Sequence, residues 1–138
     1  MSSGFTLDPR LAGDTLVVGD LALCQVLMMR DARYGWLVLV PKRAGLVEVS
    51  DLSDEEQALL WREVGVVGGV LRAAVPCDKL NIGALGNIVR QLHVHVVARV
   101  EGDAAWPGPV WGVGSAAAFA PGEAERRIAA LREALGIG

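Results

Sequence analysis

The amino-acid sequence predicts an α+β domain: a mainly antiparallel sheet of about five strands, one long helix and a C-terminal helix. Three observations predict it. Short runs rich in β-branched residues come in two groups, separated by a long stretch of helical period. The first two strand-like runs are close enough to form a hairpin. The long helical stretch opens on Ser53-Asp54-Glu55-Glu56, a capping box in which Ser53 and Glu56 satisfy each other's backbone N–H groups.

Residues 15–29 (TLVVGDLALCQVLMM) read as two strands with a turn at Gly19-Asp20. Asp31 to Gly35 is a polar loop. Residues 36–41 (WLVLVP) form a buried central strand ended by Pro41. The long helix covers about residues 54–74, with Leu60, Val64, Val67 and Leu71 on one face and Pro76 beyond its end. Gly65, Gly68 and Gly69 cost helix propensity but would let the helix lie close to a sheet. Residues 79–83 (KLNIG) and 90–100 (RQLHVHVVARV) are two more strands, joined through the turn-type sequence Ala84-Leu85-Gly86-Asn87. Residues 101–122 show no sustained period, and irregular segments this long are usually functional or mobile. The last helix runs from about 122 to 135, with Ala124, Ile128, Leu131 and Leu135 on one face.

A chain of 138 residues fits one domain, here 1–138, with the core in 15–100 and an irregular segment and helix in 101–138. Hydrophobic residues at 52% and charged residues at 21% exclude a disordered chain. The longest apolar run, Val64 to Leu71, is far too short for a membrane span of about 20 residues. The stretch MSSGFTLDPR has no basic segment followed by an apolar one, so a cytoplasmic protein is expected. Cys24 and Cys77 match no metal or redox spacing and read as reduced thiols. The net charge of −3 and the lack of a Lys/Arg cluster argue against a long nucleic acid as partner, while a single nucleotide needs only a few donors.

His93 and His95 are the only two histidines, and they stand two apart in RQLHVHVVAR. Alternate residues of a strand share a face, so Gln91, His93 and His95 would form a polar row about 7 Å apart, with Leu92, Val94 and Val96 facing the core. Three roles compete for the pair. Metal chelation lacks a third ligand, since Glu101 is the nearest carboxylate and no Cys or acidic cluster is close. Two hydrogen-bonded core histidines are the plainest role. The third is phosphoryl chemistry: a neutral imidazole attacks phosphorus, and a second one binds phosphate or protonates the leaving group. Upstream, Gly83 and Gly86 would let backbone N–H groups approach an anion, and Asn81 and Asn87 add neutral donors and acceptors.

The run Asn81-x-Gly83-x-x-Gly86-Asn87-x-Val89-x-Gln91-Leu92-His93-Val94-His95-Val96-Val97 resembles, without a gap, the signature of the histidine triad (HIT) superfamily. LVLVPKR at 37–43 and LSDEE at 52–56 resemble that family's strand and helix start. The resemblance implies that His93 is the nucleophile on the α-phosphate and that His95 contacts phosphate near the leaving group. It implies that Asn81, Gly86 and Asn87 line the phosphate site and that Asp31 binds ribose, although a turn-forming Asp31 is the plainer reading. It further implies a homodimer, a purine nucleotide or nucleoside phosphate derivative as ligand, and no required cofactor, divalent ions assisting only some relatives. The activity implied is hydrolysis of nucleoside phosphoramidates or (di)nucleoside polyphosphates through a nucleotidyl-histidine. The alternative is a nucleotide-binding or regulatory protein with little turnover.

Asn87 stands where the family usually has Gln, and the sequence departs from the family pattern in four further places. Gln91 replaces the first histidine, keeping a backbone carbonyl to orient the central imidazole but losing a side chain that carries a proton. Trp36 and Ala44 stand where relatives often have further histidines, and Ala98 replaces a common proline. Trp106 and Trp111 would cover a base, lie at a subunit contact, or simply pack. Lys42, Arg43, Arg90 and Arg99 are candidate phosphate neighbours whose plainer role is a solvated surface charge.

Overall fold

The computed structural model describes residues 4–137. Residues 1–3 and 138, at the two ends of the expected span, lie outside it. A short helix α1 (Pro9–Asp14) leads into β1 (Thr15–Asp20), β2 (Cys24–Met29) and β3 (Gly35–Pro41). A single 3-10 turn at Val49–Asp51 precedes α2 (Asp54–Ala74), followed by β4 (Lys79–Gly83), β5 (Val94–Arg99) and α3 (Glu123–Leu135). The five strands form one antiparallel sheet in the order β1-β2-β3-β5-β4, which puts β5 between β3 and β4. No helix among the described residues is long and apolar enough to cross a membrane.

Helix α2 begins where its sequence says. Ser53 accepts from the Glu56 N–H and Glu56 accepts from the Ser53 N–H. Its face Leu60, Val64, Val67 and Leu71 is buried against Val26, Met28, Leu37, Leu39, Val94 and Val96. Gly68 belongs to that face, and a Cβ there would lie 3.2 Å from Leu80 Cδ1. Gly65 and Gly69 do not, since a Cβ on either would meet nothing within 4 Å. Helix α3 packs beside α2, with Leu131 fully buried and Ile128 and Leu135 against the same cluster. Cys24 and Cys77 are free thiols, and burial, with Glu63 beside it, pushes the Cys24 thiol far above its ordinary range.

Two expectations change along β1 and β5. Gly19 is no turn residue: β1 continues to Asp20 and the turn is Leu21–Leu23, while the ladder slips one residue between Val17 and Gly19 as a β-bulge. A side chain at Gly19 would collide with Ile137, with a Cβ only 2.8 Å from its Cδ1. The strand expected over 90–100 is shorter. Residues 90–93 lie outside the ladder, held there by a bond from the Leu92 N–H to the Leu46 carbonyl (3.0 Å), and β5 starts at Val94.

The face of the sheet away from α2 and α3 buries Leu27, Trp36, Val38, Val40 and Val97. The N-terminal segment covers part of it with Phe5, Leu7 and Leu11, and the irregular segment 101–122 covers part with Val110 and Trp111. That segment is pinned by polar contacts: the Ala32 N–H donates to the Ala117 carbonyl (2.8 Å), and Arg33 Nη1 donates to the Val113 carbonyl (2.8 Å).

Candidate active site

The pleat of β5 sends Val94, Val96 and Ala98 toward α2 and His95, Val97 and Arg99 to the opposite face. His93, just before the strand, joins His95 on that second face. The two rings lie edge to face with centroids 4.9 Å apart, and each residue is 7% exposed.

Their nitrogens are fixed differently. His93 Nδ1 lies 2.7 Å from the Gln91 carbonyl. A carbonyl only accepts, so Nδ1 carries a proton, and in the neutral ring the lone pair is on Nε2. His95 Nδ1 lies 3.0 Å from Trp36 Nε1. An indole N–H only donates, so His95 Nδ1 accepts and its proton sits on Nε2. The register explains the contact. Val38 stands opposite His95 and Trp36 opposite Val97, which makes Trp36 a diagonal neighbour of His95 on the same face. On the other side Gly83 stands opposite His95. A Cβ there would lie 3.2 Å from the Trp111 indole, so the glycine leaves room for Trp111 to meet His95 edge to face at 5.3 Å. Burial, and secondarily the charge of His93, lowers the His95 pKa to about 4.

Gln91 does not join the row. Its side chain turns to the N-terminal segment: Oε1 accepts from the Asp8 N–H (2.8 Å) and Nε2 donates to the Thr6 carbonyl (2.9 Å). Having left the ladder at Val94, the chain is free to rotate this side chain away from the strand's alternation. What Gln91 brings to the histidines is its carbonyl.

His93 lines two cavities. One of about 470 Å³ is bounded by Arg10, Asp14, Trp36, Gly86, Asn87, His95 and Trp111 among others. The other, about 190 Å³, includes Glu48, Gly86, Asn87, Arg90 and Gln91. Gly86, in the 84–93 connection, holds a positive φ of 72° that favours glycine there. Gly86 and Asn87 line both cavities together with His93. Asn81 does not border either cavity, and its Oδ1 accepts from Arg99 Nη1 (2.8 Å).

Arg99 is no surface charge. It is 1% exposed, forked onto the Asp103 carboxylate at 2.8 and 2.9 Å and stacked near Tyr34 and Trp106. The side-chain hydrogen bond from Arg99 lowers the Asp103 pKa to about 2. Trp106 thus packs on Arg99, and Trp111 alone of the two reaches the histidines. Asp31 is equally committed, bonded to the Arg33 side chain (2.8 Å) and to the N–H groups of Arg33 and Ala117. Burial opposes its ionisation, but these bonds outweigh burial and hold its carboxyl below the usual range. Its neighbourhood is a further hollow, about 500 Å³, that shares Arg10, Asp14, Met29, Trp36 and Gly112 with the histidine cavity. Lys42 donates to the Leu21 carbonyl and Arg43 pairs with Glu56, so of the four cations singled out in the sequence only Arg90 borders a histidine cavity.

Two residues, Arg10 and Glu63, and one contact, Trp36 with His95, escaped the sequence reading. Arg10 lines the larger cavity from α1. The sequence held a signal for that helix, because Asp8 caps it and Pro9 takes its first position. Trp36 as partner of His95 depends on strand register, which no local pattern reveals. Glu63, on the core face of α2, accepts from the Leu23 and Cys24 N–H groups (2.9 and 2.8 Å) and closes the β1–β2 turn. Among the described residues no group of three or more His, Cys, Asp or Glu side chains is placed to hold a metal ion.

A family model described as HIT domain matches residues 11–102. No curated protein matches the chain. Among solved structures, a histidine triad protein from Sinorhizobium meliloti is similar at 50% identity and a TM-score of 0.92, over 96% of this chain and 98% of that one. A histidine triad protein from Bradyrhizobium japonicum is similar at 50% identity and TM-score 0.91, over 94% and 96%. A third, from Marinobacter aquaeolei, shares 39% identity with TM-score 0.92, over 96% of both chains.

Proposed function

The chain belongs to the HIT domain family, and on that footing we propose that it binds a nucleotide and hydrolyses a nucleoside phosphate derivative at the α-phosphorus, through a nucleotidyl-His93 intermediate. One observation carries the reading: His93 Nδ1 is tied to the Gln91 carbonyl at 2.7 Å, which puts the lone pair of the neutral ring on Nε2, and His93 lines an open cavity. That is the state a nucleophilic imidazole needs. The Nε2–H of His95, 4.9 Å away ring to ring, supplies a donor for phosphate oxygen. Gly86, Asn87 and Arg90 would bind further phosphate oxygens, and Trp111 or the hollow beside Asp31 would take the nucleoside. The step needs no metal. The bond cut is a phosphoramidate or a phosphoanhydride.

The test is to incubate the protein with adenosine 5′-phosphoramidate or diadenosine tetraphosphate, follow AMP release, and trap adenylylated protein by rapid acid quench. His93→Ala should cut release by on the order of 10³-fold or more and abolish the adduct. Undiminished release by that variant overturns the proposal. A second reading, nucleotide binding with little turnover, is favoured by the turned-away Gln91 side chain, which leaves two imidazoles where the family has three. It would show as AMP binding without release from either substrate. We also propose a homodimer and a cytoplasmic location. Exposed Ile82, Leu85 and Ile88, on and next to the edge strand β4, support the first, and the two free thiols support the second. Light scattering on the purified protein tests the dimer.

A further inference from the structure

Histidine 95 is enclosed by three rings: Trp36 at 5.8 Å, Trp111 at 5.3 Å and His93 at 4.9 Å between centroids. Its Nδ1 is held by the Trp36 N–H at 3.0 Å. To become an imidazolium it would need a proton on Nδ1, and that proton would point at another donor. Neither indole can accept it in the ring plane, and among the described residues the hydrogen-bond partner of the ring is Trp36 and not a carboxylate. The other ionisable groups bordering the cavity are His93, already committed, and Arg10 and Asp14, both exposed.

We propose that Trp36 is a positioning residue that fixes His95 as a neutral Nε2–H donor, so that the site steadies charge on phosphate but gives no proton to the leaving group, and the chain prefers anhydride over amidate substrates. This rests on the nucleotidyl-His93 reading above. In the first step the His93 Nε2 lone pair forms the N–P bond, and the bond from α-phosphorus to the bridging oxygen breaks. The electron pair departs on that oxygen as a phosphate anion, which is stable without a proton. Water then attacks phosphorus, the P–N pair returns to Nε2, and the water's proton passes to solvent. An amidate differs at one point. Its nitrogen must be protonated before the P–N bond breaks, and that is the service a general acid supplies, typically worth 10²–10⁴-fold.

Two measurements test this. The ¹⁵N spectrum of His95 in the wild-type protein reports its tautomer directly. Nε2 protonated and Nδ1 bare is expected, and Nδ1 protonated overturns the proposal. Second, kcat/KM is compared for diadenosine tetraphosphate and adenosine 5′-phosphoramidate. The wild type should favour the anhydride by roughly 100-fold or more. Trp36→His, whose ring can accept as well as donate, should narrow that ratio, and Trp36→Phe should let His95 populate both tautomers. Equal rates for the two substrates in the wild type overturn the selectivity. AMP release from neither substrate instead sinks the hydrolase reading, and the selectivity with it, while the ¹⁵N spectrum still decides what Trp36 does.

Discussion

Replacing Gln91 by alanine should loosen the N-terminal segment and leave the sheet intact. The two ends of the amide hold that segment, one accepting from the Asp8 N–H at 2.8 Å and the other donating to the Thr6 carbonyl at 2.9 Å. Each such bond contributes about 0.5–1.5 kcal/mol net, and because both are partly open to water we take about 1–2 kcal/mol for the pair. That is about a 5- to 30-fold rise in local opening. Amide hydrogen exchange measures it. The Asp8 N–H and the Ala12 N–H, which donates to the Asp8 carbonyl, should exchange faster by that factor, while Val96 in β5 is unchanged. Since Arg10 and Leu11 border the larger cavity, KM for a nucleotide substrate should rise while kcat falls much less. Gln91→His, which would complete the signature the sequence resembles, should resemble the alanine variant rather than gain activity. A Gln91→His protein with unchanged protection of Asp8 and a raised kcat would refute the reasoning.

Three further outcomes follow from the same geometry. With His95 held at about 4 against about 6.5 unfolded, the unfolded chain binds the extra proton first, so stability falls as pH drops from about 6.5 toward 4; urea unfolding should show a loss of about 2 kcal/mol between pH 7 and pH 5 from this group, and a His95 imidazole, assigned by NMR, that titrates near 6.5 would contradict it. Glu63→Ala strips the acceptor from two buried N–H groups and should cost about 2–4 kcal/mol in denaturant unfolding, with Glu63→Gln keeping part of it. Gly65→Ala and Gly69→Ala meet nothing within 4 Å and should each stabilise α2 by about 0.5–1 kcal/mol, whereas Gly68→Ala, at 3.2 Å from Leu80, should not. A lower melting temperature for Gly65→Ala would count against the helix packing described.

The parts of the fold legible in the sequence are those set by local chemistry. Ser53 and Glu56 mark the start of α2, the Leu60–Val64–Val67–Leu71 spacing its buried face, and KLNIG the strand β4. Strand alternation placed His93 and His95 on one face, because period 2 needs no tertiary information. What escaped depends on distant partners. The Gln91 side chain is set by residues 83 and 85 positions away. Trp36 meets His95 across 59 residues of sequence. Gly19 reads as a turn until Ile137 is known to lie over it. Arg99 reads as a surface charge because nothing nearby in sequence announces that Tyr34 and Trp106 would enclose it, although Asp103, four residues on, was there to be noticed.

The place where β5 begins has a mechanical consequence. His95 lies inside the ladder with a strand hydrogen-bonded on each side, whereas His93 sits one residue short of it, carried by a loop. A group that attacks must advance as its bond forms; a group that steadies charge works best by standing still. On the proposed reading, the group that steadies charge is the one seated in the sheet, and the group that attacks is the one carried beside it.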